Sequence, residues 1–313
     1  MPAKPTLLTM MRHLRLLVLA PFVLALALLA AGCGGSQGGG SVALPVLDDL
    51  EPVANATAKA DSARFEMELE MEMPGFGPFA FSATGAYDTP SKQAEMTMDL
   101  GSFAELMSGL AGAFGGNAPS DLGDPEKWKV EMRLDGLVAY MRMPFLASEL
   151  PAGKEWVRLD LAAAARLQGV DLADLLSFAS GSDPRETLDF LRSISGEVTR
   201  VGTEDVRGVP SVHYFAIVDW QKALRKAANE AGQPGLLQQL QSLGGSMQNV
   251  PVDVWVDADN LVRRMTMEFS FSSPDGQQQA TASMSMELFD YGTAVSVEPP
   301  PASDVVDAFK LKS

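Results

Sequence analysis

Arg64-Phe65-Glu66-Met67-Glu68-Leu69-Glu70-Met71-Glu72-Met73 alternates apolar and acidic side chains without a break. A period of two places one set on each face of an extended chain, so the stretch predicts a half-buried antiparallel strand with one wet face. The same text recurs on both sides of it. Phe79 and Phe81 belong to a second run, 79–87, reached through the turn-forming Pro74-Gly75-Phe76-Gly77-Pro78. Ala94, Met96, Met98 and Leu100 alternate with Gln93, Glu95, Thr97 and Asp99, and Trp128, Val130, Met132 and Leu134 form a fourth run that turns at Asp135-Gly136 into 137–143. A short strand is predicted at 155–161, and a hairpin around Arg207-Gly208 joins 197–205 to 209–218. Another turns at Ala258-Asp259-Asn260 between 252–257 and 261–271, and a long strand at 278–290 follows Pro274-Asp275-Gly276. Sequential strands with short turns read as an antiparallel meander.

Three helical segments interrupt the strands. Residues 103–114 are Gly/Ala-rich. Residues 161–180 and 184–193 carry Leu172, Leu175, Leu176, Leu188 and Leu191 at helical spacing, and 219–243 is amphipathic with a break at Gly232-Gln233-Pro234-Gly235. The tail beyond Pro299-Pro300-Pro301 is expected to pack loosely. The fold class that follows is α+β: a single large curved antiparallel sheet, a half-barrel of about 10 or 11 strands, with helices on its concave face. A curled sheet with an apolar inner face can enclose a cavity.

At the amino terminus Lys4, Arg12 and Arg15 precede an apolar run, 16–31, that closes on Leu29-Ala30-Ala31-Gly32-Cys33. A basic start, short apolar core and small-residue exit form a secretory signal. The small residues ahead of Cys33, the only cysteine, make it a lipoprotein signal, with Cys33 as the lipidated residue. The run is shorter than the roughly 20 residues a spanning helix needs, and Pro21 interrupts it. The domains expected are a signal peptide at 1–32, the lipidated cysteine with a Gly/Ser tether at 33–47, a ligand-binding domain at 48–298 and a tail at 299–313. A tether of that composition spans roughly 20 Å, which holds the domain near the extracytoplasmic side of a cell membrane.

Loss of residues 1–32 removes three of the 24 basic residues and none of the 40 acidic ones, so the net charge falls from −16 to −19. That balance argues against nucleic acid as a partner and against adhesion to anionic headgroups without the lipid. With Cys33 acylated, disulfides, cysteine nucleophiles and Cys/His zinc sites are ruled out. His213 is the one histidine left, and it lies in an alternating strand with no nucleophile elbow nearby, so a structural role is expected. Asp257-Ala258-Asp259-Asn260 opens like a calcium loop but lacks the glycine and distal glutamate, and reads as a tight turn. Glu66 to Glu72 read as a solvated strand face rather than an acid–base pair. Trp156 and Trp255 sit beside charged neighbours and are expected to pack. No P-loop or dinucleotide fingerprint is present; no cofactor, no metal and no catalytic residue is expected.

Methionine is the unusual feature. Seventeen occur, mostly on the apolar sides of strands, where β-branched and aromatic residues are the norm. Methionine adapts its shape and suits surfaces that accept variable apolar ligands; a plastic core is the other reading. The candidate ligand-lining residues are Phe65, Met67, Leu69 and Met71, Phe79 and Phe81, Met96, Met98 and Met132, and Met265, Met267, Phe269, Met284 and Met286.

Several segments resemble actinobacterial lipoproteins with a LolA-like fold, the group that includes the lipid-carrier lipoproteins LppX and LprG. The resemblance is carried by Pro251-Val252-Asp253-Val254-Trp255-Val256-Asp257 running into Asn260-Leu261-Val262-Arg263-Arg264-Met265. Glu155-Trp156-Val157-Arg158-Leu159-Asp160-Leu161 and Gly208-Val209-Pro210-Ser211-Val212-His213-Tyr214 add to it. It implies a half-barrel whose covered concave face holds acyl chains, and a monomeric, non-enzymatic carrier of lipid or acylated ligands. The alternative is a sensor or interaction lipoprotein with a solid core.

Overall fold

The computed structural model describes residues 53–311 except 54–55, 58, 74–76, 114–123, 169–197, 220–221, 223–248 and 273–278. The signal peptide, Cys33 and the tether therefore lie outside the described residues. So do most of the predicted helices at 161–180 and 219–243 and the whole of the one at 184–193.

Among the described residues twelve strands form one open sheet: β1 (Ser62–Met73), β2 (Gly77–Asp88), β3 (Gln93–Asp99), β4 (Lys129–Asp135), β5 (Val138–Arg142), β6 (Trp156–Asp160), β7 (Thr199–Val206), β8 (Val209–Asp219), β9 (Asn249–Asp257), β10 (Val262–Ser272), β11 (Gln279–Phe289) and β12 (Val305–Asp307). Their spatial order is β12-β6-β5-β4-β3-β2-β1-β11-β10-β9-β8-β7. Two meanders, β1–β6 and β7–β11, thus meet along the β1–β11 pair. The sheet is curved and unclosed, which is the architecture the LolA-like resemblance implies.

The tail supplies a strand rather than packing loosely. β12 pairs in parallel with β6, Val305 opposite Trp156, and makes the otherwise antiparallel sheet mixed. Arg158 fixes it by donating Nη1 to Asp307 Oδ2 at 3.1 Å.

Local chemistry sets the turns. The β7–β8 turn places Arg207 at φ 51° and Gly208 at φ 78°, the pair of positive φ values that a two-residue hairpin requires. Between β9 and β10, Asp257 Oδ1 accepts the amides of Asp259 and Leu261 at 2.9 and 3.0 Å. This is the tight turn expected there.

Helix α1 (Gly101–Ala113) starts where Asp99 Oδ1 accepts the Gly101 amide at 2.8 Å. It lies on the sheet's apolar face. Leu100, Ala104, Trp128 and Val130 form a buried cluster there, with Phe81, Met98, Phe103, Met143 and Phe145 packed against it. A ladder of rings runs through the contact: Phe79–Phe81–Phe103–Trp128–Phe145, with centroids 5.4, 6.1, 6.2 and 5.0 Å apart. Helix α2 (Leu161–Gln168) is capped by Asp160, whose Oδ1 accepts the Ala163 amide at 2.9 Å. That hydrogen bond, with Arg158 nearby, holds the Asp160 carboxyl below its ordinary range.

Candidate functional site: the apolar face of the sheet

The register turns the alternation into transverse rows across the sheet. One row runs Leu288–Phe65–Gly85–Met96–Met132–Met141–Val157. The next runs Val254–Met265–Met286–Met67–Ala83–Met98–Val130. A third joins Val252, Met267, Met284, Leu69 and Phe81, and a fourth joins Phe269, Ala282, Met71 and Phe79. All fourteen residues singled out in the sequence fall in these rows and so share one face.

Burial divides that face. Phe65, Ala83, Met96, Met132 and Leu288 form a buried cluster, with Met67, Met98, Met286, Tyr87, Val262 and Tyr291 packed on it. Here methionine fills a solid core. Among the described residues Leu69, Met71, Met265, Met267 and Met284 belong to neither cluster and stay half-buried, with half-buried Phe269 on the same face. Ala282 lies among them, opposite both Met71 and Phe269. Its small side chain leaves the floor of this window low.

The cluster's polar atoms are closed off. Tyr291 donates its hydroxyl to the Val262 carbonyl. Burial raises the Tyr291 phenol far above its ordinary value, with Tyr87 beside it adding to the shift, and burial raises Tyr87 as well. Both phenols are neutral at any physiological pH, and the Asp257 carboxylate, paired with Arg263 at 2.5 Å, lies near enough to add to the Tyr291 shift. Leu288 could have been read from its place two residues beyond Met286 in the same alternation. Tyr291 could not, because the strand ends at Phe289 and the φ of 49° at Asp290 breaks the pattern.

The opposite face is polar. Glu68, Glu70 and Glu72 are exposed, bedded between Ser82 on β2 and Ser283 and Ser285 on β11. His213 is buried with its ring stacked on Trp255, centroids 4.3 Å apart. Its Nε2 lies 2.6 Å from Asp253 Oδ1 and its Nδ1 3.3 Å from Glu204 Oε1. Trp255 donates Nε1 to Glu204 Oε2 at 3.1 Å. The histidine thus ties β8 to β9 through Nε2, its Nδ1 has no hydrogen-bond partner among the described residues, and Trp255 makes the link to Glu204 on β7. Trp156 is buried too, under the Arg133 guanidinium at 4.7 Å. Among the described residues no cluster of His, Cys, Asp and Glu suits a metal ion, and no helix is long and apolar enough to cross a membrane.

No protein-family model matches the chain. It is 34% identical over 158 residues to a 31.2 kDa protein from the rplA–rplJ intergenic region of Streptomyces griseus, a match covering 50% of this chain and 48% of that protein. The chain thus spans about half the length of the curated relative it matches. Among solved structures it is similar to the lipoprotein LppX of Mycobacterium tuberculosis, with 12% identity, 81% of this chain and 98% of that one covered and a TM-score of 0.42. LprF of Mycobacterium bovis follows at 14% identity, 83% and 99% coverage and 0.41. A LolA superfamily protein from Nitrosomonas europaea shows 8% identity, 79% and 95% coverage and 0.25. With TM-scores below 0.5, none of the three carries the reading that follows.

Proposed function

We propose that this protein binds or carries acyl-chain ligands on the apolar face of its sheet, tethered to the extracytoplasmic side of the cell membrane through lipidated Cys33. The observation that carries the reading is the half-buried window of Leu69, Met71, Met265, Met267 and Met284. These five apolar side chains are in register on adjacent strands, and among the described residues neither core cluster claims them. A sixteen-carbon chain leaving a bilayer exposes apolar surface worth roughly 12 kcal/mol, at about 0.8 kcal/mol per methylene. Transfer requires a surface that replaces most of it. Unbranched methionines adapt to such a chain without a fixed shape. The role is one of binding, with no catalytic group.

The chain from Ser41 onward, expressed without its anchor, is expected to co-purify with acyl-chain lipids and to take up a fluorescent fatty acid saturably. Ala282→Arg places a cation on the floor of the window and is expected to abolish uptake while the circular dichroism spectrum persists. A folded wild type with no bound lipid by mass spectrometry and no saturable uptake would turn the reading to a sensor or interaction lipoprotein, for which the solid Phe65–Leu288 cluster already speaks.

A further inference from the structure

The β7–β8 hairpin is the outermost pair of the sheet on its side, with β9 and β10 separating it from β11. Its turn nevertheless reaches β11 and β1. Arg207 donates Nε to Glu287 Oε2 at 2.6 Å and Nη2 to Glu66, and its guanidinium lies 4.0 Å from the centre of the Phe289 ring. Val206, one residue before the turn, is buried to 1% exposure. The space beneath the tip is not filled. A cavity of about 360 Å³ lies there, lined by Val206, Val209, Arg263, Leu288 and Phe289 among others. Leu288 belongs to the buried cluster around Phe65 on the apolar face, whereas Phe289 points to the polar one. The cavity therefore opens at the rim of the sheet, next to the apolar core.

Two features make this contact reversible. Arg207 holds a positive φ that glycine and asparagine adopt far more readily, so the turn itself does not call for arginine; the ionic contact does. Glu287 is also held by Arg264, through Nε at 2.8 Å and Nη2 at 2.6 Å. It stays paired when Arg207 leaves, and Glu66, half-exposed, returns to water. Neither carboxylate is stranded by opening, and an ion pair at this exposure is screened by salt.

We propose that the β7–β8 hairpin is a clasp with Arg207 as its catch, and that the cavity beneath it is the portal by which an acyl chain reaches or leaves the apolar face. The portal rests on the acyl-chain reading; the clasp does not. The test is Arg207→Asn in the full chain, since asparagine suits the turn and removes the catch alone, with Glu66→Gln as a second variant. Hydrogen exchange at the Val206 and Val209 amides is expected to rise at least tenfold in Arg207→Asn at 0.1 M salt, with the circular dichroism spectrum unchanged. The wild type should approach that rate at 1 M salt, and Glu66→Gln should fall between. Uptake and release of a fluorescent sixteen-carbon fatty acid should accelerate by the same factor, leaving Kd unchanged. Unaltered exchange in both variants overturns the clasp. Raised exchange with unaltered fatty-acid rates overturns the portal. A wild type that exchanges as expected but takes up no fatty acid retracts the acyl-chain reading and the portal with it, and leaves the clasp standing.

Discussion

Gly85 sits on β2 where a side chain has no room. A Cβ there would lie 2.3 Å from the Glu95 carbonyl oxygen and 2.6 Å from Cζ of Phe65, both far inside contact distance. Phe65 covers the glycine and anchors the buried cluster. Gly85→Ala must therefore displace backbone as well as a ring, and is expected to cost at least the 1–3 kcal/mol typical of overpacking, read as a lowered urea midpoint. Glu287 offers a second test at this scale. Burial pushes its carboxyl up, but hydrogen bonds and attraction from Arg264 and Arg207 outweigh burial and hold it below the ordinary value; Glu66 shares Arg207 with it. A depressed carboxyl contributes stability that is complete above the ordinary value of about 4.3 and is lost as pH falls through the lowered one. Glu287→Gln should destabilise at pH 7, and its deficit relative to wild type should shrink as the pH is taken below about 4. A deficit of constant size from pH 7 to pH 3 would contradict this ionic role.

Strands were the most legible elements because their period is two and one face is buried, which fixes register as well as position. The alternation at 64–73 pairs Phe65, Met67, Leu69 and Met71 with Leu288, Met286, Met284 and Ala282, one apolar row for each residue. Glu68 is exposed and Met67 packs on the core cluster. Glu68→Ala should therefore change stability by no more than about 0.5 kcal/mol. Met67→Asp, one position away, should cost several times as much by placing a carboxylate among apolar side chains. Equal denaturation midpoints would show that the two faces are not distinct. What the text concealed has physical causes. Val305–Asp307 is three residues long, too short for any period to show, and its parallel partner β6 lies about 150 positions upstream. In β7 a bulge between Arg200 and Gly202 shifts the register, so Arg200 pairs with Tyr214 on the apolar face while Glu204 pairs with Ser211 on the polar one, 3.3 Å from His213. Such a bulge discourages further pairing at an edge strand, and no spacing in the sequence announces it.

At the scale of the molecule, two meanders share one sheet by joining their first and last strands, β1 and β11, at its middle. The seam carries the densest methionine rows, so the candidate ligand window lies at the centre of the sheet rather than at its edge. The sequence located the face but not its division. Whether a methionine is core or window depends on what other elements place over it: α1 and the Trp128 cluster over Met98, the Tyr87–Tyr291 end over Met67 and Met286. Those partners are distant in the chain. The domain begins its first strand at Ser62, 29 residues after Cys33, and a Gly-rich stretch directly follows that cysteine. Under the proposed lipidation of Cys33, two acyl chains on one residue would hold the protein durably where a single chain holds it marginally. Attachment needs the thiol, since the thioether to diacylglycerol forms on sulfur and the signal is removed only afterwards. Cys33→Ala is therefore expected to yield an uncleaved precursor carrying residues 1–32. Cells fed an alkyne-bearing fatty acid should label the wild-type protein and leave the variant dark, with the variant heavier on a gel by the mass of the retained signal. Equal labelling of the two would place the acyl group elsewhere and remove the lipid tether from the proposed mechanism.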